Sequence, residues 1–241
     1  MTNIITLCSF RGGTGKSCIG AALGKMLSDK GYRTCLIDAD FESPNLGQLV
    51  GVKDNSKKNY LNNFLEDSSP IKSAAYPIHS SENYYLLLPN PSASSILKMQ
   101  REGTDLVLLS EGYEEIIKEL NLDFLVIDNH TGINEHSLLS ISHANLCLVI
   151  TETHHDNEGT EILFEIAKKL DVKKIHLIVN KITQNCPKDE LRRQYKESYE
   201  SHISFIPFTS RILEEKLGQW LNQSTPFVHE LESILKQEKL C

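Results

Sequence analysis

Short runs of apolar residues alternate along the chain with longer segments in which apolar residues recur every three or four positions. Runs that are apolar throughout are typical of parallel strands covered on both faces. The predicted strands are Ile4–Cys8, Thr34–Ile37, Tyr84–Leu88, Phe124–Ile127, Leu146–Ile150, Ile175–Val179 and Ile203–Ile206. The predicted helices between them are Lys16–Lys30, Glu114–Leu120, Glu135–Ile141, Gly159–Leu170 and Lys188–Glu200. This alternation predicts one α/β domain over residues 1–241, with a mostly parallel, twisted sheet of about seven strands flanked by helices.

The segment Gly51–Asn83 departs from this rhythm. It is rich in Ser, Asn and Lys, contains two prolines, and offers one short helix candidate at Tyr60–Glu66. Long connections inside compact domains are more often functional than idle. We therefore treat 51–83 as a less regular insertion and expect it to encode the identity of a partner.

Composition narrows the classes to which the chain can belong. Its 241 residues are 40% apolar and carry a net charge of −7, which excludes disordered and fibrous proteins and argues against a dedicated nucleic-acid binder. No apolar run approaches the roughly 20 residues that span a bilayer, and the N-terminus lacks the pattern of a signal peptide. The six cysteines are scattered without a CxxC pair. We expect a protein of the reducing cytoplasm.

The most specific motif is Phe10–Ser17, which follows the first strand and opens the first helix. This is the context of a P-loop, where glycines let backbone N–H groups converge on phosphate oxygens and the helix N-terminus adds positive charge. Lys16 would reach the β- and γ-phosphates, and the Ser17 hydroxyl would ligate Mg²⁺. The alternative, a glycine-rich turn that only packs helix on strand, does not account for Gly-Lys-Ser at this position. Phe10 replaces the first glycine of the usual pattern, and Arg11 adds a second cation.

Two aspartate motifs end predicted strands. Asp38 and Asp40 follow Leu36-Ile37, and Asp128 follows Leu125-Val126-Ile127. Acids at the carboxyl ends of parallel strands lie in the ligand crevice, so Asp128 is predicted to be the Walker B acid that holds Mg²⁺ through its water shell. The Gly132 N–H could sense the γ-phosphate. A helix cap or turn role is the alternative for either acid taken alone.

In order and spacing, these motifs resemble the ParA/MinD family of deviant Walker A ATPases, P-loop proteins of the SIMIBI type. The family motifs appear as Arg11–Ser17, Asp38–Leu46 and Asp128–Gly132, and two later segments, Leu177–Asn180 and Phe205–Phe208, are similar to its base-binding segments. Ser43-Pro44, Gly132–Glu135 and Gly159-Thr160 further resemble a bacterial MinD/ParA-like group without a settled role.

The resemblance implies a set of site residues. ATP would contact Gly12, Gly13, Thr14, Gly15, Lys16, Ser17, Cys18, Asn180, Pro207 and Phe208, and Mg²⁺ would be held by Ser17, Asp38 and Asp128. The catalytic residues implied are Lys16, Asp40, which orients the attacking water, and Arg11, which stands where the family's signature lysine reaches the partner's phosphates. Arginine and lysine are not interchangeable, so this last role is open.

Adenine is favoured over guanine on independent grounds. GTPases use N-K-x-D to bind guanine, and the matching run here is Asn180-Lys181-Ile182-Thr183, which lacks the acid.

The resemblance also implies an ATP-dependent homodimer that hydrolyses slowly and acts on an unidentified protein partner or cargo. Non-specific DNA binding through lysines and arginines near residues 168–196 is an alternative to a solvated helix face. The C-terminal helix candidate Phe227–Lys236 has a mixed, slightly acidic polar face, so packing onto the domain is favoured over membrane attachment. His154 and His155 lack chelating spacing and are predicted to line the dimer face rather than hold a metal.

Three functions remain open from the sequence. The first is a Mg-ATP-driven dimerisation switch that positions cargo or regulates a partner. The second is an ATP-dependent metabolic enzyme, such as a ligase, on the same fold. The third is a nucleotide-bound scaffold that hardly hydrolyses, because Phe10 and Arg11 alter the loop.

Overall fold

The computed structural model of the chain describes residues 2–52, 59–78, 81–153, 157–199, 202–209 and 225–240. They form one α/β domain around an eight-stranded sheet of order β3-β4-β2-β5-β1-β6-β7-β8. The strands are β1 (Asn3–Cys8), β2 (Thr34–Ala39), β3 (Tyr76–Pro77), β4 (Tyr84–Leu87), β5 (Phe124–Asn129), β6 (Leu146–Glu152), β7 (Lys174–Ile182) and β8 (His202–Pro207). Every strand pair is parallel except β3–β4.

Helices cover both faces of this sheet. They are α1 (Lys16–Asp29), α2 (Leu46–Leu49), α3 (Leu61–Leu65), α4 (Ala93–Glu102), α5 (Leu106–Leu120), α6 (Glu135–His143), α7 (Asn157–Lys169), α8 (Lys188–Tyr199) and α9 (Pro226–Gln237). Along β5, Val126 faces the side of the sheet covered by α1, whereas Leu125 and Ile127 face the side covered by α3 and α5. Because both faces are buried, successive residues of a strand must all be apolar, which explains the uninterrupted runs in the sequence.

All seven strands predicted from the sequence are present, and the sheet is mostly parallel as predicted. The eighth, β3, is a two-residue antiparallel edge too short to leave a pattern. Helix α4 was not predicted: none of its residues is buried, and its apolar face, which includes Met99, only partly contacts the core. Helix α5 begins at Leu106, eight residues before the predicted start, where Asp105 accepts hydrogen bonds from the backbone N–H groups of Val107 and Leu108.

The insertion and the C-terminal segment are both part of the folded domain. In the described part of 51–83, the predicted short helix is α3, whose Leu61 and Phe64 are buried against α5. Helix α9 buries Phe227, Leu231, Ile234 and Leu235 against the sheet, which confirms that it packs onto the domain. Within the described ranges, no helix has the length and apolar character needed to cross a membrane.

Candidate functional site

The P-loop connects β1 to α1 through two residues in the left-handed region, Gly13 (φ 80°) and Gly15 (φ 88°). Gly15 is the N-cap residue of α1 and provides no side-chain cap for the first turn. A Cβ atom at Gly15 would lie 2.4 Å from Nδ2 of Asn180. The loop therefore needs glycine here both for its conformation and for the approach of β7, and the helix N-terminus keeps its N–H groups available to an anion.

A cavity of about 480 Å³ lies at this helix N-terminus. Its lining residues come from the P-loop, α1, the loop after β2, α2 and the loop after β5: Ser9, Gly13, Thr14, Gly15, Lys16, Ser17, Cys18, Asp40, Asn45, Gln48, Leu49 and Thr131. The Ser9 and Thr14 hydroxyls are buried and have no hydrogen-bond partner in the described structure. Unpartnered buried hydroxyls are costly, so they favour a polar ligand in this cavity.

Two buried carboxylates and one buried cation lie beside the cavity. Lys16 Nζ donates to Asp128 Oδ1 at 2.7 Å, and both side chains are almost fully buried. Asp38 is in register with Asp128 on the neighbouring strand and is 1% exposed. Burial, together with the charge of Asp128, raises the pKa of Asp38 to about 7. Two carboxylates thus lie beside a single cation. Their oxygens and the nearby Ser17 hydroxyl are ligands of the kind that a hard divalent cation such as Mg²⁺ prefers.

Asp38 also organises the loop that follows β2. Its Oδ1 accepts from the Asp40 backbone N–H at 3.0 Å, and its Oδ2 accepts from those of Asn45 and Leu46, each at 3.0 Å. Asp40 in turn accepts from the N–H groups of the two residues at 42 and 43, at 3.2 and 2.8 Å. These bonds fold the loop so that the half-buried Asp40 lines the cavity.

A second cavity of about 280 Å³ adjoins the first and shares Gly13, Gly15 and Cys18 with it. Its other lining residues are Asn180, Lys181, Pro207, Phe208, Thr209 and Phe227. Burial raises the pKa of the Cys18 thiol, so this shared wall is neutral. The aromatic and proline rings give the second cavity an apolar wall suited to a flat ring system.

Asn180 and Lys181 connect the two cavities. Asn180 Nδ2 donates to the Thr14 carbonyl at 2.7 Å, which leaves its amide oxygen as the remaining acceptor. Lys181 Nζ donates to the Gly13 carbonyl and lies 2.7 Å from a carboxylate oxygen of Glu152. Lys181 was not singled out as a site residue from the sequence. The sequence feature that could have identified Lys181 was its position directly after Asn180 in the Asn-Lys run.

Other predicted site residues lie at the edge of this arrangement. Arg11 and Gly12 are exposed at the start of the loop. The Gly132 N–H, predicted to sense a phosphate, donates instead to the Ser9 carbonyl at 2.9 Å and so joins the loop after β5 to the P-loop. His154 and His155 lie outside the described residues.

Phe10 has a structural partner that the sequence did not reveal. A Cβ atom at Gly159 of α7 would lie 2.1 Å from a carbon of the Phe10 ring. The ring that replaces the first P-loop glycine therefore packs directly on the bare backbone of Gly159.

Several basic residues considered for DNA binding have other contacts. Lys174 Nζ donates to the Glu238 carbonyl, and the Arg192 guanidinium lies 5.2 Å from the centre of the Phe205 ring. With Lys181 held as described above, these contacts reduce the cationic surface that remains for nucleic acid. The side chain of Lys196 lies outside the described residues.

Comparison with known proteins gives three kinds of similarity. The sequence profile of the CobQ/CobB/MinD/ParA nucleotide binding domain matches residues 5–217. The chain is 29% identical over 186 residues to an uncharacterized ATP-binding protein of Methanocaldococcus jannaschii, covering 76% of this chain and 66% of that protein. It is 27% identical over 171 residues to the septum site-determining protein MinD of Escherichia coli, covering 70% of this chain and 60% of MinD. The matched region thus spans less than two thirds of either relative.

The fold is similar to that of MinD from Pyrococcus horikoshii, which was solved in complex with Mg-ADP. The TM-score is 0.79 with 21% sequence identity, over 98% of this chain and 96% of that one.

Proposed function

Because the chain belongs to the CobQ/CobB/MinD/ParA nucleotide-binding domain family, as its motifs predicted, we propose that it is a Mg-ATP-dependent ATPase that uses nucleotide state to control its own dimerisation. The observation that carries this proposal is the pair of adjoining cavities, one polar with unpartnered hydroxyls and one apolar. Their chemistry matches the two halves of ATP, with the triphosphate in the first and the base in the second.

The triphosphate would change the partners of Lys16. In this structure Lys16 neutralises Asp128, and a bound nucleotide offers it phosphate oxygens that carry more charge. Asp128 and Asp38 would then be left with Ser17 to hold Mg²⁺, which neutralises phosphate charge when bound. The backbone N–H groups of Gly12–Ser17 would donate to the phosphates.

Base recognition would depend on Asn180. One N–H of its amide donates to the Thr14 carbonyl and turns the side chain so that its oxygen is the acceptor available to the base. An amide oxygen accepts from the exocyclic amino group of adenine, whereas guanine presents a carbonyl oxygen at that position and would be repelled. Cys18, Pro207 and Phe208 would enclose the ring. These contacts support ATP over GTP.

Hydrolysis would depend on positioning rather than on a strong base. Asp40 lines the phosphate cavity and would orient the attacking water, while Lys16 stabilises charge as the phosphate transfers. Arg11, exposed at the start of the loop, would reach the phosphates of a second subunit. A site completed only in the dimer would explain slow turnover alone and stimulation by a partner or cargo protein.

The described cysteines are all free, which supports a place in the reducing cytoplasm.

The proposal is tested by light scattering of the Asp40→Ala variant, which should trap the ATP state. We expect Mg-ATP to double its molar mass and Mg-ADP to leave it at one subunit. Asp189→Ala, at an exposed position of α8, is the matched control and should hydrolyse ATP at the unaltered rate.

Any other result of the light-scattering experiment would favour a different function. One subunit with both nucleotides would refute the switch and direct the search to a metabolic reaction. A dimer in both states would mean that association is constitutive. A dimer from which intact ATP is recovered after long incubation of the unaltered chain would indicate a scaffold.

A further inference from the structure

Two histidines and a glutamate meet at the amino ends of β7 and β8, opposite the nucleotide cavities. His176 and His202 are paired residues of the two parallel strands. Glu238, directly after α9, lies against both. His176 precedes Asn180 by four strand residues, so about 13 Å separates this cluster from the candidate nucleotide site along β7.

The polar atoms of the three side chains converge on one point. Glu238 Oε1 lies 2.8 Å from His176 Nδ1 and 2.7 Å from His202 Nδ1. One ligand atom from each residue lies within 4.8 Å of the other two. His176 and Glu238 are buried, with 0% and 5% of their side chains exposed, whereas His202 is 60% exposed. The cluster is thus fixed on the protein side and open to water on one side.

We propose that these three residues form a binding site for Zn²⁺ or a closely similar transition-metal ion. Two imidazoles and one carboxylate are a donor set of zinc sites, and a water entering beside His202 would complete four-coordination. Tetrahedral ligands at about 2.0–2.1 Å from zinc lie about 3.3 Å from one another. Each of the two hydrogen-bonded contacts must open by about half an ångström. Rotation of the exposed His202 ring can open the first, and a small shift of the Glu238 carboxylate must open the second, with the buried His176.

Ser204 supplies the support that such a site requires. His176 Nε2 lies 3.0 Å from Ser204 Oγ. When Nδ1 binds a metal, Nε2 carries the proton and its N–H can donate a hydrogen bond to the Ser204 hydroxyl oxygen; without metal the same hydroxyl can donate to Nε2. A partner on the outer nitrogen fixes the ring and its tautomer, as it does for metal-binding histidines generally.

The site would fasten the C-terminal helix to the sheet. Ile178 and Ile206, two residues after His176 and Ser204, pack against α9 on the same sheet face. A metal at the cluster would add a bond between α9 and two strands at the end of this apolar contact. Lys174 already holds the Glu238 carbonyl there and leaves the carboxylate to the histidines. Bound Zn²⁺ should therefore raise the melting temperature of the full chain.

The test is equilibrium dialysis of the full chain against Zn²⁺, with Co²⁺ absorption to report coordination. We expect His202→Ala and Glu238→Gln to lose one equivalent of tightly bound Zn²⁺ and the visible bands of four-coordinate Co²⁺. Ser204→Ala should weaken affinity about 10- to 100-fold without abolishing it. His229→Ala is the matched control, because this exposed histidine of α9 lies about 13 Å along the helix from Glu238. It should bind as the unaltered chain does.

Melting curves without metal establish that the variants are folded. We expect both to fold, because His202 is exposed and because glutamine has nearly the same shape as the glutamate at 238. With metal, Zn²⁺ should raise the melting temperature of the unaltered chain and of His229→Ala, and not that of His202→Ala. Equal Zn²⁺ stoichiometry and affinity in the unaltered chain and in both ligand variants would overturn the proposal. So would an unaltered chain that gives no four-coordinate Co²⁺ spectrum.

Discussion

Gly159→Ala is expected to change stability with a sign that depends on Phe10. The added Cβ atom would lie 2.1, 2.3 and 2.7 Å from three atoms of the Phe10 ring, whereas carbon atoms pack at about 3.5–4.0 Å. The ring would have to move by more than about 1 Å, and overpacking of this kind costs about 1–3 kcal/mol. Alanine in place of glycine within a helix recovers about 0.5–1 kcal/mol. The net effect should be a destabilisation of up to about 2.5 kcal/mol.

In a Phe10→Ala background the obstructing ring is absent. Gly159→Ala should then stabilise the protein by about 0.5–1 kcal/mol, because only the gain in helix propensity remains. The coupling free energy between the two sites is therefore expected to be about 1–3 kcal/mol. Urea denaturation of the four proteins, without nucleotide, measures it. A Gly159→Ala effect that is the same in both backgrounds would refute the packing argument.

The same cycle reports on the nucleotide site. Phe10 occupies the first position of the P-loop motif, so a displaced ring should shift the loop backbone that lines the polar cavity. We expect Gly159→Ala to weaken binding of a fluorescent ATP analogue, and Phe10→Ala/Gly159→Ala to bind more tightly than the single Gly159→Ala variant. No difference in affinity between these two proteins would show that the ring does not position the loop.

Three further predictions follow from buried polar groups. Lys16→Ala leaves Asp128 buried without its cation, so the free energy of unfolding should fall by about 3 kcal/mol in urea denaturation without nucleotide. Lys25→Ala is the control: it removes an exposed ion pair and should cost less than about 1 kcal/mol. Asn129→Ala removes an amide that hydrogen-bonds two hydroxyls and a carbonyl in the core and should cost about 2–3 kcal/mol; a loss under about 1 kcal/mol would show that the network relaxes. Burial lowers the pKa of His136 below its usual 6.5 despite two neighbouring glutamates, so the folded state binds fewer protons than the unfolded state. His136 should therefore contribute a loss of stability as the pH falls below about 6.5, opposite in sign to the contribution of Asp38, whose raised pKa favours the folded state at lower pH. Relative to the unaltered chain, His136→Phe should gain stability over this interval, and identical pH profiles of the two proteins would contradict it.

The fold was predictable because burial on both faces leaves a strong signal in each strand. Val126 and its two neighbours must all be apolar, and such runs locate strands without any knowledge of their partners. Helix α4 gave no comparable signal, since none of its residues is buried. The two-residue β3 is held by pairing with β4 rather than by its own composition. The two elements that the sequence did not predict, α4 and β3, are thus elements whose residues are not fixed by burial in the core.

The parts of the candidate site that could be predicted are those in which the functional residues are adjacent in sequence and form a motif. The P-loop motif and the aspartates at strand ends predicted that their residues would meet, and they lie at the polar cavity at the N-terminus of α1, because parallel strands present their carboxyl ends together. Hydrogen-bond partners were not predictable in the same way. Asn180 binds the Thr14 carbonyl, and the Gly132 N–H binds that of Ser9, because the loops approach closely in space. The pairing of Phe10 with Gly159 depends on the same kind of approach.

The histidine–glutamate cluster shows why such contacts escape a search by motif. His176 and His202 lie on different strands, with helix α8 between them in the sequence. Only the pairing of β7 with β8, residue against residue, makes them neighbours. Glu238 is placed by a third element, whose position is set by the apolar contacts of Leu231 and Ile234 with the sheet. A site of this kind is specified by strand register and helix packing, so sequence spacing alone carries no trace of it.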